Sequence, residues 1–156
     1  MTGRAAVPIA VRALRKSYGK VLALDDVDLD VRAGEFLTLL GPSGSGKTTL
    51  LMVLAGFIRP DSGQLKFGDD EVIRLAPHKR DIGMVFQNYA LFPHMDVAGN
   101  IAYPLGLRGI TGAEQAKRVE AALDVVQLGG YGRRRVNELS GGQRQRVALA
   151  RAIVFE

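Results

Sequence analysis

The sequence contains no cysteine, which excludes disulfide bonds and zinc–thiolate centres. Histidine is nearly as scarce. His78 and His94 stand far apart and outside any ligand-spaced cluster, so both read as surface or packing residues rather than metal ligands. Long hydrophobic runs are missing too: the longest, Leu50 to Ile58, is far too short to span a bilayer. The first residues lack the charged-then-apolar pattern of a secretion signal, so the chain is expected to be cytosolic. There is no internal repeat and no low-complexity tract.

The composition that remains is that of a globular protein. Of 156 residues, 47% are hydrophobic, enough for one domain with a real core. Lys and Arg number 21 against 16 Asp and Glu, giving a net charge of +5. That excess permits nucleic acid, acidic lipid or polyphosphate partners but does not choose among them. The basic residues are scattered, apart from Arg133-Arg134-Arg135, a solvated triplet shorter than a nucleic-acid patch.

Hydrophobic patterning outlines the elements. Residues 9 to 15 and 27 to 31 alternate apolar and polar and predict antiparallel strands, with a turn at Ser17 to Lys20. Glu35 to Leu40 ends in a continuous apolar run suited to a strand buried on both faces of a parallel sheet. A helix is expected from Lys47, with Leu50, Val53, Leu54, Phe57 and Ile58 on one stripe, stopped by Pro60 to Gly63. Gln64 to Phe67 predicts a short strand and Asp81 to Phe86 a second buried one, while Asn88 to Leu107 predicts loops and a short helix. Thr111 and Glu114 have capping-box spacing before a helix whose Ala116, Val119, Leu123 and Val126 share a face, ended by Gly129-Gly130. A last helix starts after Ser140, where Ser140 and Gln143 form a second capping box.

Between the first buried strand and its helix lies Gly41-Pro42-Ser43-Gly44-Ser45-Gly46-Lys47-Thr48-Thr49. It fits G-x-x-x-x-G-K-[ST] at every fixed position, in the strand–loop–helix setting that the motif requires. Glycines let the backbone curl so that successive N–H groups face phosphate oxygens. The helix N-terminus adds positive potential. Lys47 supplies a charge to the β- and γ-phosphates, and the Thr48 hydroxyl suits magnesium. The expected ligands are therefore ATP and Mg²⁺.

A phosphate loop alone leaves many enzyme classes open. Leu139-Ser140-Gly141-Gly142-Gln143, followed by Arg144-Gln145-Arg146-Val147-Ala148-Leu149-Ala150-Arg151-Ala152, resembles the signature motif and helix of the ATP-binding-cassette (ABC) family. Two glycines in a first helical turn are poor helix formers, and they make sense if a ligand approaches the backbone. The resemblance covers essentially the whole chain. It implies an α/β P-loop ATPase core of the RecA-like kind, with an N-terminal antiparallel β subdomain and a helical subdomain. Residues 1 to 87 would form the β subdomain and core, 88 to 140 the helical subdomain, and 141 to 156 the signature helix returning to the core. It also implies a paired ATPase subunit, with the Ser140-Gly141-Gly142-Gln143 end of one closing on the ATP of the other.

Further roles follow only from the resemblance. Tyr18, by itself a turn tyrosine, matches the aromatic residue that stacks on adenine. Gln87 matches the glutamine that meets magnesium and attacking water, and Lys47 and Gln87 become the catalytic residues present. Asn88 to Met95 resembles the segment of importer ATPases that lies against the membrane permease subunits, so those partners are expected around Gln87 to Met95. Residues 77 to 95 look most like polyamine importers, with iron, sulfate and sugar importers close behind. Such a subunit would be peripheral on the inner face of the cell membrane. The alternatives are a soluble ATPase of the same superfamily acting on nucleic acid or ribosomes, or a truncated product with no role.

The family's pattern also contains an apolar strand ending in Asp-Glu, which supplies a magnesium ligand and the general base, and then a histidine strand. Neither occurs here. The residues reach only Ile153-Val154-Phe155-Glu156, and Asp69-Asp70-Glu71 follows Phe67-Gly68 in a turn. The resemblance thus implies a C-terminally truncated cassette with an incomplete sheet.

Overall fold

The computed structural model describes residues 6–155. The chain divides at Asp81 and Ile82 into two compact units.

In the first unit, alternating sequence builds an antiparallel hairpin of β1 (Ile9–Tyr18) and β2 (Val21–Val31), turned at Gly19 and Lys20. Val11 and Leu14 both face the core, although three positions apart, because the β1 ladder shifts register between them. Ala13 there takes a φ of 47° and donates its N–H to Asp28 at 2.7 Å, so the extra residue is accommodated as a bulge. β3 (Ser62–Phe67) pairs with the other edge of β1, and β4 (Asp70–Glu71) follows β3, giving the order β2-β1-β3-β4. Helix α1 (Lys47–Leu54) packs Leu50 and Val53 against Val11, Leu14, Leu24, Leu65 and Val72.

The second unit is helical. It contains α2 (Val97–Gly106), α3 (Gly112–Val125) and α4 (Gly141–Ile153). Ile101, Leu105, Val119, Leu123, Val147 and Ala150 make one buried cluster among the three. Among the described residues no helix is long and apolar enough to cross a membrane.

Several sequence expectations change. Glu35 to Leu40 and Asp81 to Phe86 form no strand, and Phe36 and Leu40 are 94% and 88% exposed. Strands exist by pairing, and no described segment lies in a ladder with either. Helix α1 ends at Leu54, short of Phe57 and Ile58, because Gly56 turns left-handed at φ 83°. Thr111 is the N-cap of α3, but its side chain makes no capping bond. Glu114 instead turns forward to Arg118 at 2.7 Å, and that cation holds its carboxyl below the usual range. Ala116 is exposed, and Ala122 takes the buried place on that face. The Ser140–Gln143 capping box forms as expected.

Candidate functional site

The loop at Gly41 to Thr48 is shaped by its glycines. Gly44 and Gly46 have φ of 82° and 84°, and Gly46 serves as the N-cap of α1 with no side chain capping the helix. A Cβ on Gly46 would drive into the Ala23 carbonyl oxygen, so this position has no room for another residue. Lys47 folds back along the loop. Its Nζ donates to Gly41 O at 2.8 Å, Pro42 O at 2.6 Å and Ser45 Oγ at 2.9 Å. Pro42, Ser43, Gly44, Ser45 and Thr48 are exposed, and Thr49 is half-buried. A cation, a curled backbone and an uncapped helix N-terminus are thus gathered on one solvent-facing loop, the arrangement that holds an anion. The Thr48 hydroxyl, exposed in the first turn of α1, is a hard oxygen donor of the kind magnesium takes together with phosphate oxygens and water.

Arg80 braces the far end of α1. Its guanidinium donates to the carbonyls of Val53 (2.7 Å), Leu54 (2.8 Å), Leu75 (3.0 Å) and Ile73 (3.1 Å), and only 5% of the residue is exposed. Burial lowers its pKa. The first two acceptors are terminal carbonyls of α1, where a cation also complements the helix dipole. Nothing in the sequence singled out Arg80, since a helix cap donated from 26 residues downstream leaves no local pattern.

Tyr18, at the end of β1, is 48% exposed. Lys16 Nζ lies 5.5 Å from its ring centroid and is held by Asp61 at 2.8 Å. Asp61 also accepts the Ser17 N–H at 2.6 Å, and the two bonds, Lys16 first, keep its carboxyl below its ordinary pKa.

In the helical unit, Ser140 N–H donates to Gln143 Oε1 at 2.9 Å and Gln143 N–H to Ser140 Oγ at 3.3 Å. Gly141 and Gly142 are exposed with unexceptional φ, and a Cβ on either would meet nothing within 4 Å. Neither glycine is required by the chain's own packing.

Gln87 is exposed in a turn closed by Tyr89 N–H to Phe86 O at 2.9 Å. Tyr89 and Ala90 then take φ of 63° and 43°, conformations that cost a non-glycine residue on the order of 1–3 kcal/mol each. Three side chains hold this segment. Asn100, fully buried on α2, accepts Phe92 N–H at 2.8 Å and donates to Phe92 O at 3.1 Å. Arg135 donates to His94 O at 3.2 Å. Arg151 of α4 donates to Ala90 O at 2.9 Å and Tyr89 O at 3.0 Å. Sequence reasoning missed Asn100 and Arg151. A polar residue among the core-facing positions of α2 is the signal that could have found Asn100. Beside the segment lies an open cleft of about 560 Å³ lined by Met95, Tyr103, Leu107, Gln115 and Arg135 among others.

The structure therefore gathers Gly41 to Thr49 on one loop in the unit that also carries Tyr18, and places Gln87 and Ser140 to Gln143 in the other. Among the described residues no cluster of His, Cys, Asp and Glu could hold a metal by itself.

Comparison with known proteins supplies the context. The ABC transporter family model matches residues 24–156. The spermidine/putrescine import ATP-binding protein PotA of Pseudomonas aeruginosa (strain UCBPP-PA14) is 51% identical over 94% of this chain. PotA of Nitrosomonas europaea is 52% identical over the same share. The chain spans 40% of the length of each. Among solved structures, the ATP-binding cassette MJ0796 in a dimeric post-hydrolysis state bound to ADP and Pi has a TM-score of 0.86 at 32% identity, over 94% of this chain and 69% of that one. A second dimeric MJ0796 structure, a bacterial ABC transporter cassette, has the same TM-score at 33% identity.

Proposed function

The chain belongs to the ABC transporter family, and we propose on that premise that it is the nucleotide-holding part of an ATPase that drives solute import. The observation that carries the reading is the Gly41 to Thr48 loop, with Lys47 lying across it on neutral oxygens. Phosphate oxygens of ATP would replace those acceptors with stronger, charge-assisted ones. Thr48 would hold magnesium together with the phosphates, and Tyr18 would stack on adenine. Magnesium supplies charge neutralisation at the phosphates.

Gly141 and Gly142 support a second half-site. Open space at both Cβ positions leaves them without a packing role and suits close approach by a γ-phosphate held on a second subunit. Gln87 would face magnesium and the attacking water. The segment from Gln87 to Met95, with its cleft, would meet the membrane permease, placing the subunit on the inner face of the cell membrane. The cargo we propose is a polyamine, from the likeness to spermidine/putrescine import proteins.

ATP turnover belongs to the longer protein in this reading. Residues 1–156 contain no apolar strand ending in Asp-Glu, and loss of a general base removes a factor of about 10²–10⁴.

The test is titration with a fluorescent ATP analogue. A hydrogen bond to a charged group is worth about 1.5–3 kcal/mol, so Lys47→Ala is expected to weaken binding by about 10–100-fold. Equal affinity in the two proteins would sink the reading. Uptake of labelled spermidine against iron, sulfate and sugar tests the cargo.

A further inference from the structure

Arg151 stands in the last turn of α4. Its hydrogen bonds go to backbone carbonyls, those of Tyr89 and Ala90, and its guanidinium lies 5.4 Å from the Phe92 ring centroid. Those two carbonyls belong to the two consecutive left-handed, non-glycine residues that follow the Gln87 turn. A conformation of that kind persists only where its surroundings over-determine it. Gly83, on the other side of the turn, is pressed so closely to α4 that a Cβ would collide with the Ala152 carbonyl. Both flanks of Gln87 are therefore referenced to the same turn of α4.

We propose that Arg151 is the positioning residue that sets Gln87 and ties it to the far end of α4. From Ser140 to Arg151 the helix is a rod of about 16 Å at 1.5 Å per residue. Its first turn presents Ser140, Gly141 and Gly142, and its last turn grips the exit of the Gln87 turn. A displacement of α4 when its N-terminus meets an anion is carried to Tyr89 and Ala90 through one guanidinium. A lysine replaces the two nitrogens that serve Ala90 and Tyr89 separately with one, and it lacks the planar fork that fixes their spacing. This inference rests on the roles proposed above for Gln87 and for Ser140 to Gly142.

The experiment uses the complete protein with Arg151→Lys and Arg151→Met. Backbone amide exchange without nucleotide reads the clamp directly. Exchange at residues 87–92 should accelerate about tenfold or more, most in Arg151→Met, while α2 and the first turns of α4 keep their protection. Steady-state kinetics reads the consequence. Arg151→Lys should lower kcat about tenfold, with KM and ATP-analogue affinity unchanged, since Gln87 is misplaced and the phosphate loop is untouched. Adding Ala90→Gly, which removes the left-handed penalty, should restore part of the lost protection. Unchanged exchange at 87–92 in both variants overturns the proposal. So does loss of protection spread evenly over α2, α3 and α4, which would make Arg151 a general stability residue. Should the wild-type protein bind no ATP analogue, the function proposed above fails, and the exchange measurement still decides the clamp.

Discussion

The helical core around Ile101 and the apolar run at Glu35 to Leu40 have similar hydrophobic content and opposite fates. Ile101, Leu105 and Leu123 are fully buried, whereas Phe36 and Leu40 stand almost wholly in solvent. The contrast lies in backbone chemistry. A helix satisfies its own N–H and C=O groups and needs neighbours only for one apolar face. A strand needs a second strand for its backbone before its side chains can be covered. α2, α3 and α4 find one another within 57 residues of chain, and the 35–40 segment finds no partner within residues 6–155.

Substitution at these two places should measure the difference. Ile101→Ala should destabilise the protein by about 2–5 kcal/mol, read from urea unfolding. Phe36→Ala should change it by less than about 0.5 kcal/mol in residues 1–156, as for a surface site. Repeating Phe36→Ala in the complete protein sharpens the comparison. A cost of several kcal/mol there would mean that other parts of the protein bury residue 36, and a neutral result in both would remove the idea of a shared sheet. The exposed run also predicts self-association of residues 1–156, which Phe36→Lys should reduce in sedimentation velocity.

The same contrast explains what was legible in the sequence. The glycine turn that opens a helix at Lys47 and the Ser140–Gln143 capping box are local patterns, and local geometry reproduces them. The β1–β2 hairpin was legible because its partners adjoin in sequence. Glu35 to Leu40 and Asp81 to Phe86 carry strand-like side chains, but pairing is a non-local property that the residues themselves do not encode. The Thr111 and Glu114 spacing suggested a capping box, yet Glu114 had a competing partner four residues on in Arg118. The bonds of Arg80, Asn100 and Arg151 were missed for a related reason. Each bonds to backbone carbonyls, and any residue can supply a carbonyl.

Arg80 offers the next largest effect. Its removal would strand the last carbonyls of α1 and those of Ile73 and Leu75 inside the first unit. Unsatisfied buried groups cost about 1–3 kcal/mol each, so Arg80→Met should destabilise by at least about 2 kcal/mol. Unfolding followed by a probe in each unit should show the loss in 6–81 and little change in 82–155. An equal loss in both would mean that the two units unfold as one.

The smallest effect is a pH dependence. Asp61 joins β1 to the turn before β3 through Lys16 and the Ser17 N–H, and these hold its folded pKa below its unfolded value of about 3.9. A carboxylate depressed in this way stabilises the fold above its unfolded pKa, and the contribution disappears as pH falls through the folded one. Asp61→Asn should therefore lower the urea midpoint of the first unit by a constant amount at pH 5 to 8, and the gap should close below about pH 4. Glu114 is the control, because its partner Arg118 lies on the same helix and joins no separate elements. Glu114→Gln should leave the midpoint nearly unchanged across that range, as expected for an exposed pair four residues apart. Parallel pH profiles for wild type and Asp61→Asn would show that Lys16 and Ser17 gain nothing from the carboxylate.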